Sequence, residues 1–373
     1  MITKTQAVKQ AALTLYQRDE ELVALDRAAV LGLPAQVRQR WFYLLQVIHP
    51  ELERVTADMM ELLQPDNEVK IISVIGMTGI GKTTLANCVL QLLMNRIQSK
   101  VESHHRPFVY VNVASNGEQS LSWKTLYRKM LTEGGEVEID IKRGYTVENG
   151  KLYSPRSRGP GLAQLRELVE LMLKRREVKV LVLDEAMHLL RFQDYASVMD
   201  TLKSLADAHD TKLLLLGPYQ LAELVTQYGQ VARRGEIVHY QRYKTSIKPG
   251  KRPTKDEAGY FEALRKLQAH WPCEQVPDFM AIGHELMRAT LGSVGLLKST
   301  LLTFCALQMA DAQEKFQPGF FEKALKSGKA LEVIEKETRA GEVKLVGACY
   351  GDGVARDADG ISWLQKLVAV PHV

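Results

Sequence analysis

The run Gly76-Met77-Thr78-Gly79-Ile80-Gly81-Lys82-Thr83 constrains this chain more than any other stretch. It fits the pattern G-x-x-x-x-G-K-[ST], follows the apolar run Ile71–Ile75 and precedes helical spacing over Leu85–Leu93. Strand, glycine turn and helix in that order form a cradle for phosphate. The glycines let backbone N–H groups converge, and the helix adds its positive N-terminal end. Lys82 is placed to reach β- and γ-phosphates and Thr83 to ligate Mg²⁺, with Thr84 next in the same turn.

Such a site needs an acidic residue at the end of a second buried strand. Val178-Lys179-Val180-Leu181-Val182-Leu183-Asp184-Glu185 supplies it. Asp184 is the candidate metal carboxylate, and Glu185 the candidate for orienting or deprotonating an attacking water. An adjacent acidic pair suits hydrolysis better than transfer to an acceptor hydroxyl, which needs its own site.

Around these motifs the pattern alternates. Candidate strands are Lys70–Ile75, Phe108–Val113, Lys179–Leu183, Lys212–Leu216 and Ile237–Tyr240. Helical spacing fills Thr83–Ile97, Leu121–Leu131, Gly161–Arg176 and Ala196–His209. The alternation predicts a parallel sheet covered on both faces. Residues 1–65 read as helices broken at Gly32 and Pro34, with Pro50 opening or kinking the last. Helices return after Asp256, interrupted near Trp271–Pro277, Gly292 and Gln317–Gly319. The expected organisation is a helical segment at 1–65, an α/β core at 66–245, a small all-helical lid at 246–339 and a loosely structured tail at 340–373.

Composition matters mainly for what it excludes. Of 373 residues 46% are hydrophobic and 25% charged, enough apolar material for a core without staples. Cys88, Cys273, Cys305 and Cys349 are far apart and suggest neither a zinc site nor a secreted disulfide framework. The first residues lack an apolar signal-peptide core, and the densest apolar runs are strand-length, so a cytoplasmic protein without membrane contact is expected.

The net charge of +5 conceals local excess. Lys142, Arg143, Lys151, Arg156 and Arg158 fall in a long loop or small hairpin with Tyr145, Tyr153 and one acid, Glu148; Lys124, Arg128 and Lys129 precede it. Basic groups there suit sequence-independent contact with DNA phosphates. A second basic segment, Arg242, Lys244, Lys248, Lys251, Arg252 and Lys255, lies in a polar linker.

Together these motifs resemble an AAA+ ATPase, and more narrowly the TnsC/TniB family of bacterial transposition regulators. The resemblance rests on the glycine run, Leu183-Asp184-Glu185-Ala186-Met187-His188-Leu189, the strand Leu213–Gly217, Val231-Ala232-Arg233-Arg234, and Thr290-Leu291-Gly292-Ser293-Val294-Gly295-Leu296-Leu297-Lys298. It implies that Arg233 or Arg234 acts as a finger on a neighbouring subunit's nucleotide. It also implies that Gly295 and Lys298 sit at a sensor position in the lid, and that Ile48-His49-Pro50 lies near adenine. Its further implications are ATP and Mg²⁺ as ligands, homo-oligomerisation as a ring or filament, duplex DNA, and transposase and target-selector proteins as partners. A polar sensor residue is usual after the fourth strand; this chain has Gly217-Pro218, with Tyr219 and Gln220 nearest. The competing expectation is an ATP-switched signalling or defence module acting on a protein without DNA.

Overall fold

The computed structural model describes residues 19–113, 122–137, 139, 146–148, 151–153, 160–191, 195–226, 235–244, 253–311 and 313–350. Seven strands occur in them: β1 (Ile71–Ile75), β2 (Phe108–Asn112), β3 (Thr146–Glu148), β4 (Lys151–Tyr153), β5 (Val180–Asp184), β6 (Lys212–Gly217) and β7 (Gly235–His239). The first helices are α1 (Asp19–Val23), α2 (Arg27–Leu31), α3 (Ala35–Leu44), α4 (Pro50–Leu62) and α5 (Lys82–Ile97). Between strands lie α6 (Trp123–Glu133), α7 (Leu162–Arg175), α8 (Tyr195–His209) and α9 (Leu221–Thr226). The chain continues with α10 (Lys255–Ala269), α11 (Gly283–Ala289), α12 (Val294–Ala310), α13 (Pro318–Ala324) and α14 (Gly328–Tyr350).

Two compact units result. One holds residues 58–76, 86–239 and 337–373 and is built on a five-stranded parallel sheet in the order β2-β5-β6-β1-β7. Its central strands β1, β5 and β6 are buried along their whole length, whereas the edges β2 and β7 are only partly so. That is the pattern of a sheet covered on both faces, and it explains why the central strands read as unbroken apolar runs. Lys212 is the exception in that run. It is 5% exposed, and its ammonium donates to the carbonyls of Leu62 (2.8 Å), Asn67 (2.8 Å) and Val69 (3.1 Å). All three of its donors are thereby satisfied, which ties the end of α4 to the start of β6. The stretch expected as a long loop or small hairpin contains the antiparallel pair β3–β4, Thr146 opposite Tyr153. Gly135, with φ of 78°, follows α6 in the left-handed conformation that commonly ends a helix.

The other unit holds residues 1–57, 77–85 and 240–336 and is helical. A single apolar core runs through it, from Leu22, Val30, Trp41 and Phe42 to Tyr260, Trp271, Phe279 and Phe304. Phe42 is fully buried, with its ring edge-on to Trp271 at 5.3 Å. Polar staples follow the same path. Arg27 donates to the carbonyls of Trp271 and Cys273, each at 2.7 Å. Arg38 is 7% exposed, meets Glu314 in a two-pronged ion pair and donates to Pro272 O at 2.8 Å. That carboxylate holds the Arg38 pKa above its ordinary value, so the buried charge is kept.

One expectation is corrected. Residues 340–350 are helical, the continuation of α14 past Arg339, and the chain after Tyr350 lies outside the described residues. Glycine content suggested looseness, but Gly341 is used for close packing: a Cβ there would lie 2.2 Å from Tyr219 Cγ. Among the described residues no single helix is long and apolar enough to cross a membrane.

Phe42→Ala should lower stability by about 3–5 kcal/mol, the range for emptying a buried aromatic site. A thermal melt followed by near-ultraviolet circular dichroism checks it.

Candidate nucleotide site

β1 carries the chain to Gly76 at the carboxyl edge of the sheet, and the register fixes what lies beside it. Ile75 pairs with Gly217 on one side and His239 on the other, and Asn112 pairs with Asp184. Asp184 therefore ends β5, with only β6 between it and β1. Open parallel sheets bind ligands in this crevice.

Asp184 is 6% exposed and structurally fixed. Its Oδ2 accepts from the Tyr110 hydroxyl, and its Oδ1 from the Glu185 N–H at 2.8 Å. Sequence reasoning missed Tyr110, because nothing in its own strand marks it; only the pairing of β2 with β5 brings it to Asp184. Glu185 is exposed and adopts φ of 53°, a left-handed conformation that costs a non-glycine residue ~1–3 kcal/mol. A 3₁₀ helix, Ala186–Arg191, starts immediately afterwards. The left-handed turn at Glu185 therefore ends the strand and leads directly into that helix.

The glycine loop belongs to the helical unit. Gly79 and Gly81 have φ of 80° and 111°, which accounts for glycine at both positions. Met77 and Ile80 are buried anchors, while Thr78, Gly79, Thr83 and Thr84 are exposed on the open side. Lys82 Nζ donates to Met77 O at 3.0 Å, so the ammonium is folded over the loop it serves.

The start of α12 closes on this loop. Ser293 caps the helix, accepting from Leu296 N (3.2 Å) and donating to Gly79 O (3.1 Å). A Cβ on Gly295 would lie 2.1 Å from that same carbonyl, so only glycine permits the approach. Gly292, with φ of 72°, is equally obligatory, since a Cβ would sit 1.8 Å from Tyr243 O. Gly295 thus reaches the loop's backbone.

Lys298, for which the resemblance implies a sensor position, is held at the end of α3 in this structure. Its ammonium donates to Tyr43 O (2.7 Å), in the last turn of α3, and to Leu45 O (2.6 Å), just past its end, and lies over the Tyr43 ring. Burial lowers its pKa to about 8. In this arrangement it clamps α3 to α12.

Ile48 and His49 divide their roles. Ile48 is half-exposed, while His49 is 4% exposed within a network of two tyrosines. The N–H of Glu51 donates to Tyr243 Oη (3.0 Å), which leaves that hydroxyl to donate to His49 Nδ1 (2.9 Å). Leu52 N also points at Nδ1 (3.4 Å), so Nδ1 is the acceptor and Nε2 carries the proton, facing Tyr240 Oη at 3.4 Å. Burial, helped by the Lys266 charge, lowers the His49 pKa to about 4, and the imidazole stays neutral. Tyr240 in turn lies against Gly81, whose Cβ would be 3.9 Å from its hydroxyl.

Residues 66–225 match the family model described as an AAA domain. The structure is similar to that of the Aeropyrum pernix ORC1 protein in complex with DNA, with TM-score 0.50 and 16% identity over 89% of this chain and 81% of that one. It is also similar to the ORC2 protein of the same organism in its ADPNP–ADP complexes (TM-score 0.47, 15% identity, 76% and 69% covered). A Walker-type ATPase of Pyrococcus abyssi gives TM-score 0.42 at 14% identity, with 80% and 75% covered. Among curated proteins none matches the chain. The fold is the AAA+ P-loop fold. At such identities the likeness is one of fold alone, and the chemistry rests on this chain's own residues.

Several candidates lie elsewhere. Arg233 and Arg234 precede β7 and lie outside the described residues, as do Lys142, Arg143, Arg156, Arg158 and the side chain of Lys151. Lys124 is exposed on α6 and Arg128 is partly buried one turn later. Arg242, from the second basic segment, donates to Leu291 O at 3.3 Å and so belongs to the turn before α12.

The buried His49 makes a pH prediction. Its folded pKa of about 4 lies below the ordinary 6.5, so the unfolded state binds the extra proton. Stability should be full above pH 6.5 and decline toward pH 4, by roughly 3 kcal/mol at ~1.4 kcal/mol for each pH unit separating the two pKa values. Urea unfolding at pH 7 and pH 4.5 should show that decline in the wild type and a flatter profile in His49→Gln.

Proposed function

We propose that this protein is an ATP-hydrolysing AAA+ regulator that assembles on duplex DNA and links target selection to a transposase in DNA transposition. One observation carries the nucleotide part. A glycine run with two left-handed positions, ending in Lys82-Thr83, follows directly on β1, and Asp184-Glu185 stands at the end of β5, one strand removed from β1 in the sheet.

The residues fit Mg²⁺-ATP. The loop N–H groups and the start of α5 would hold the phosphates, with Lys82 turning outward from Met77 O. Thr83 and Asp184 would hold the metal, whose charge would offset that of the phosphates. Asp184 arrives already oriented by Tyr110 and by the Glu185 N–H. Glu185, which is exposed, would accept a proton from the attacking water. Arg233 or Arg234, just before β7, would complete the site of a neighbouring subunit, which makes turnover depend on assembly.

Support for DNA comes from the basic hairpin region and α6. In the sequence Lys142, Arg143, Arg156 and Arg158 flank the β3–β4 segment, which includes Lys151, and Lys124 and Arg128 lie on the helix before it. Phosphate contacts of this kind carry no base specificity and weaken steeply with salt. A protein of like fold, ORC1 of A. pernix, has been solved in complex with DNA. The transposition role rests on the resemblance to TnsC/TniB regulators, carried by the Asp184–Leu189 and Gly292–Lys298 runs.

Electron microscopy of the full chain with random-sequence duplex DNA tests the proposal. Rings or filaments should form with ATP or a non-hydrolysable analogue, and not with ADP or without nucleotide. Lys82→Ala should abolish them, and Glu185→Gln should slow hydrolysis at least tenfold while prolonging the assembled state. Arg156→Glu with Arg158→Glu should weaken DNA binding about tenfold with ATP binding intact. Nucleotide-dependent turnover with no assembly on DNA at low or moderate salt would favour the protein-directed switch instead.

A further inference from the structure

The fourth strand of the sheet, β6, ends in Gly217-Pro218, with no polar side chain at the strand end. The nearest polar group is directed elsewhere. Tyr219 is 8% exposed, and its hydroxyl lies 3.0 Å from His239 Nε2, the two rings meeting edge to face at 5.6 Å. Gly217 ends β6 and His239 ends β7, and both pair with Ile75 of β1, which lies between them. The Tyr219–His239 bond therefore spans the carboxyl end of β1. Gly76, the next residue of that strand's chain, is itself held by its N–H to Gly217 O at 3.4 Å.

A third element covers the pair. On the part of α14 that belongs to this unit, Thr338, Gly341 and Leu345 follow at helical spacing on one face. Thr338 and Leu345 are each 2% exposed. Gly341 sits on the Tyr219 ring with no room for a Cβ, which would lie 2.2 Å from Cγ and 2.3 Å from Cβ of the tyrosine. Beside it Lys344 reaches Glu223 of α9 at 3.5 Å. Glycine inside a helix costs ~1 kcal/mol relative to alanine, so its use here points to the contact.

We infer that Tyr219 and His239 are positioning residues for the start of the P-loop, and that α14, through Gly341, is the arm that holds them in place. The pair bridges the two strands flanking β1 and so limits how the Ile75–Gly76 junction can shift. The arm fixes the tyrosine ring from outside. Its proposed consequence for turnover rests on the ATPase reading above; the clamp itself does not.

The test uses the full chain and three variants. Gly341→Leu should release the arm although leucine is the better helix former. Amide exchange should rise about tenfold at 337–350 and also rise at 217–221 and 236–240. ATP turnover should show kcat at least fivefold lower with KM changed less than twofold, because the P-loop residues are untouched. Adding Tyr219→Ala should make room for the leucine and restore protection at 337–350 while kcat stays low. Tyr219→Phe, which removes only the hydroxyl, should lower kcat and speed exchange at 236–240 with the arm still protected. An arm that stays protected in Gly341→Leu, or a Tyr219→Phe protein with wild-type kcat and wild-type exchange at 236–240, overturns the inference. Absence of turnover in the wild type would fail the ATPase reading, and the exchange data alone would then decide the clamp.

Discussion

In the helical unit the glycine loop is pinned by the approach of two backbones, Gly295 on the carbonyl of Gly79, reinforced by the Ser293 hydroxyl on the same oxygen. Three further features depend on it. Gly292 must turn left-handed to bring Ser293 into position, and that turn is packed on Tyr243 O. Tyr243 in turn bonds His49, whose other nitrogen faces Tyr240, and Tyr240 returns to the loop at Gly81. The chain of contacts thus begins and ends on the glycine loop. A shift of the α12 start by the width of one methyl group would have to be absorbed by the whole circuit.

The buried or part-buried polar groups His49, Lys298 and Arg38 of the helical unit are each met by the backbone or by a partner of fixed geometry. His49 is neutral because two donors point at Nδ1 and burial disfavours a charge. Arg38 keeps its charge through Glu314, whereas Lys298, whose pKa burial lowers to about 8, donates to carbonyls at the end of α3. Such groups contribute little net stability compared with apolar packing, yet they punish any alternative register because an unpaired member costs several kcal/mol. They fix where the helices sit, while the aromatic core around Trp271 supplies most of the driving force.

Most of the sheet was legible because its signals are local. Ile71–Ile75, Val180–Asp184 and Leu213–Leu216 are apolar runs bounded by turn residues, and the strands observed differ from the expected ones by one or two residues at their ends. The glycine run and Asp184-Glu185 were legible for the same reason. What sequence could not show is pairing across distance. Tyr110 meets Asp184 only through strand order, and Lys298 finds the end of α3 only because the first helices pack among the last. The 340–350 stretch misled because glycine favours loops on average, whereas Gly341 serves a contact with Tyr219.

The shared core of the helical unit has a consequence for how the chain is made. Trp41 and Phe42 emerge from the ribosome long before Tyr260, Trp271 and Phe304, the residues that bury them. At ~5–20 residues per second, roughly 10–50 s pass in between, and the intervening sheet has time to fold first. During that interval the nascent α1–α3 segment carries unpaired aromatic surface. Where the two halves of that core lie in the sequence thus sets how long the aromatic surface waits for its cover, the condition under which folding intermediates are most prone to aggregate.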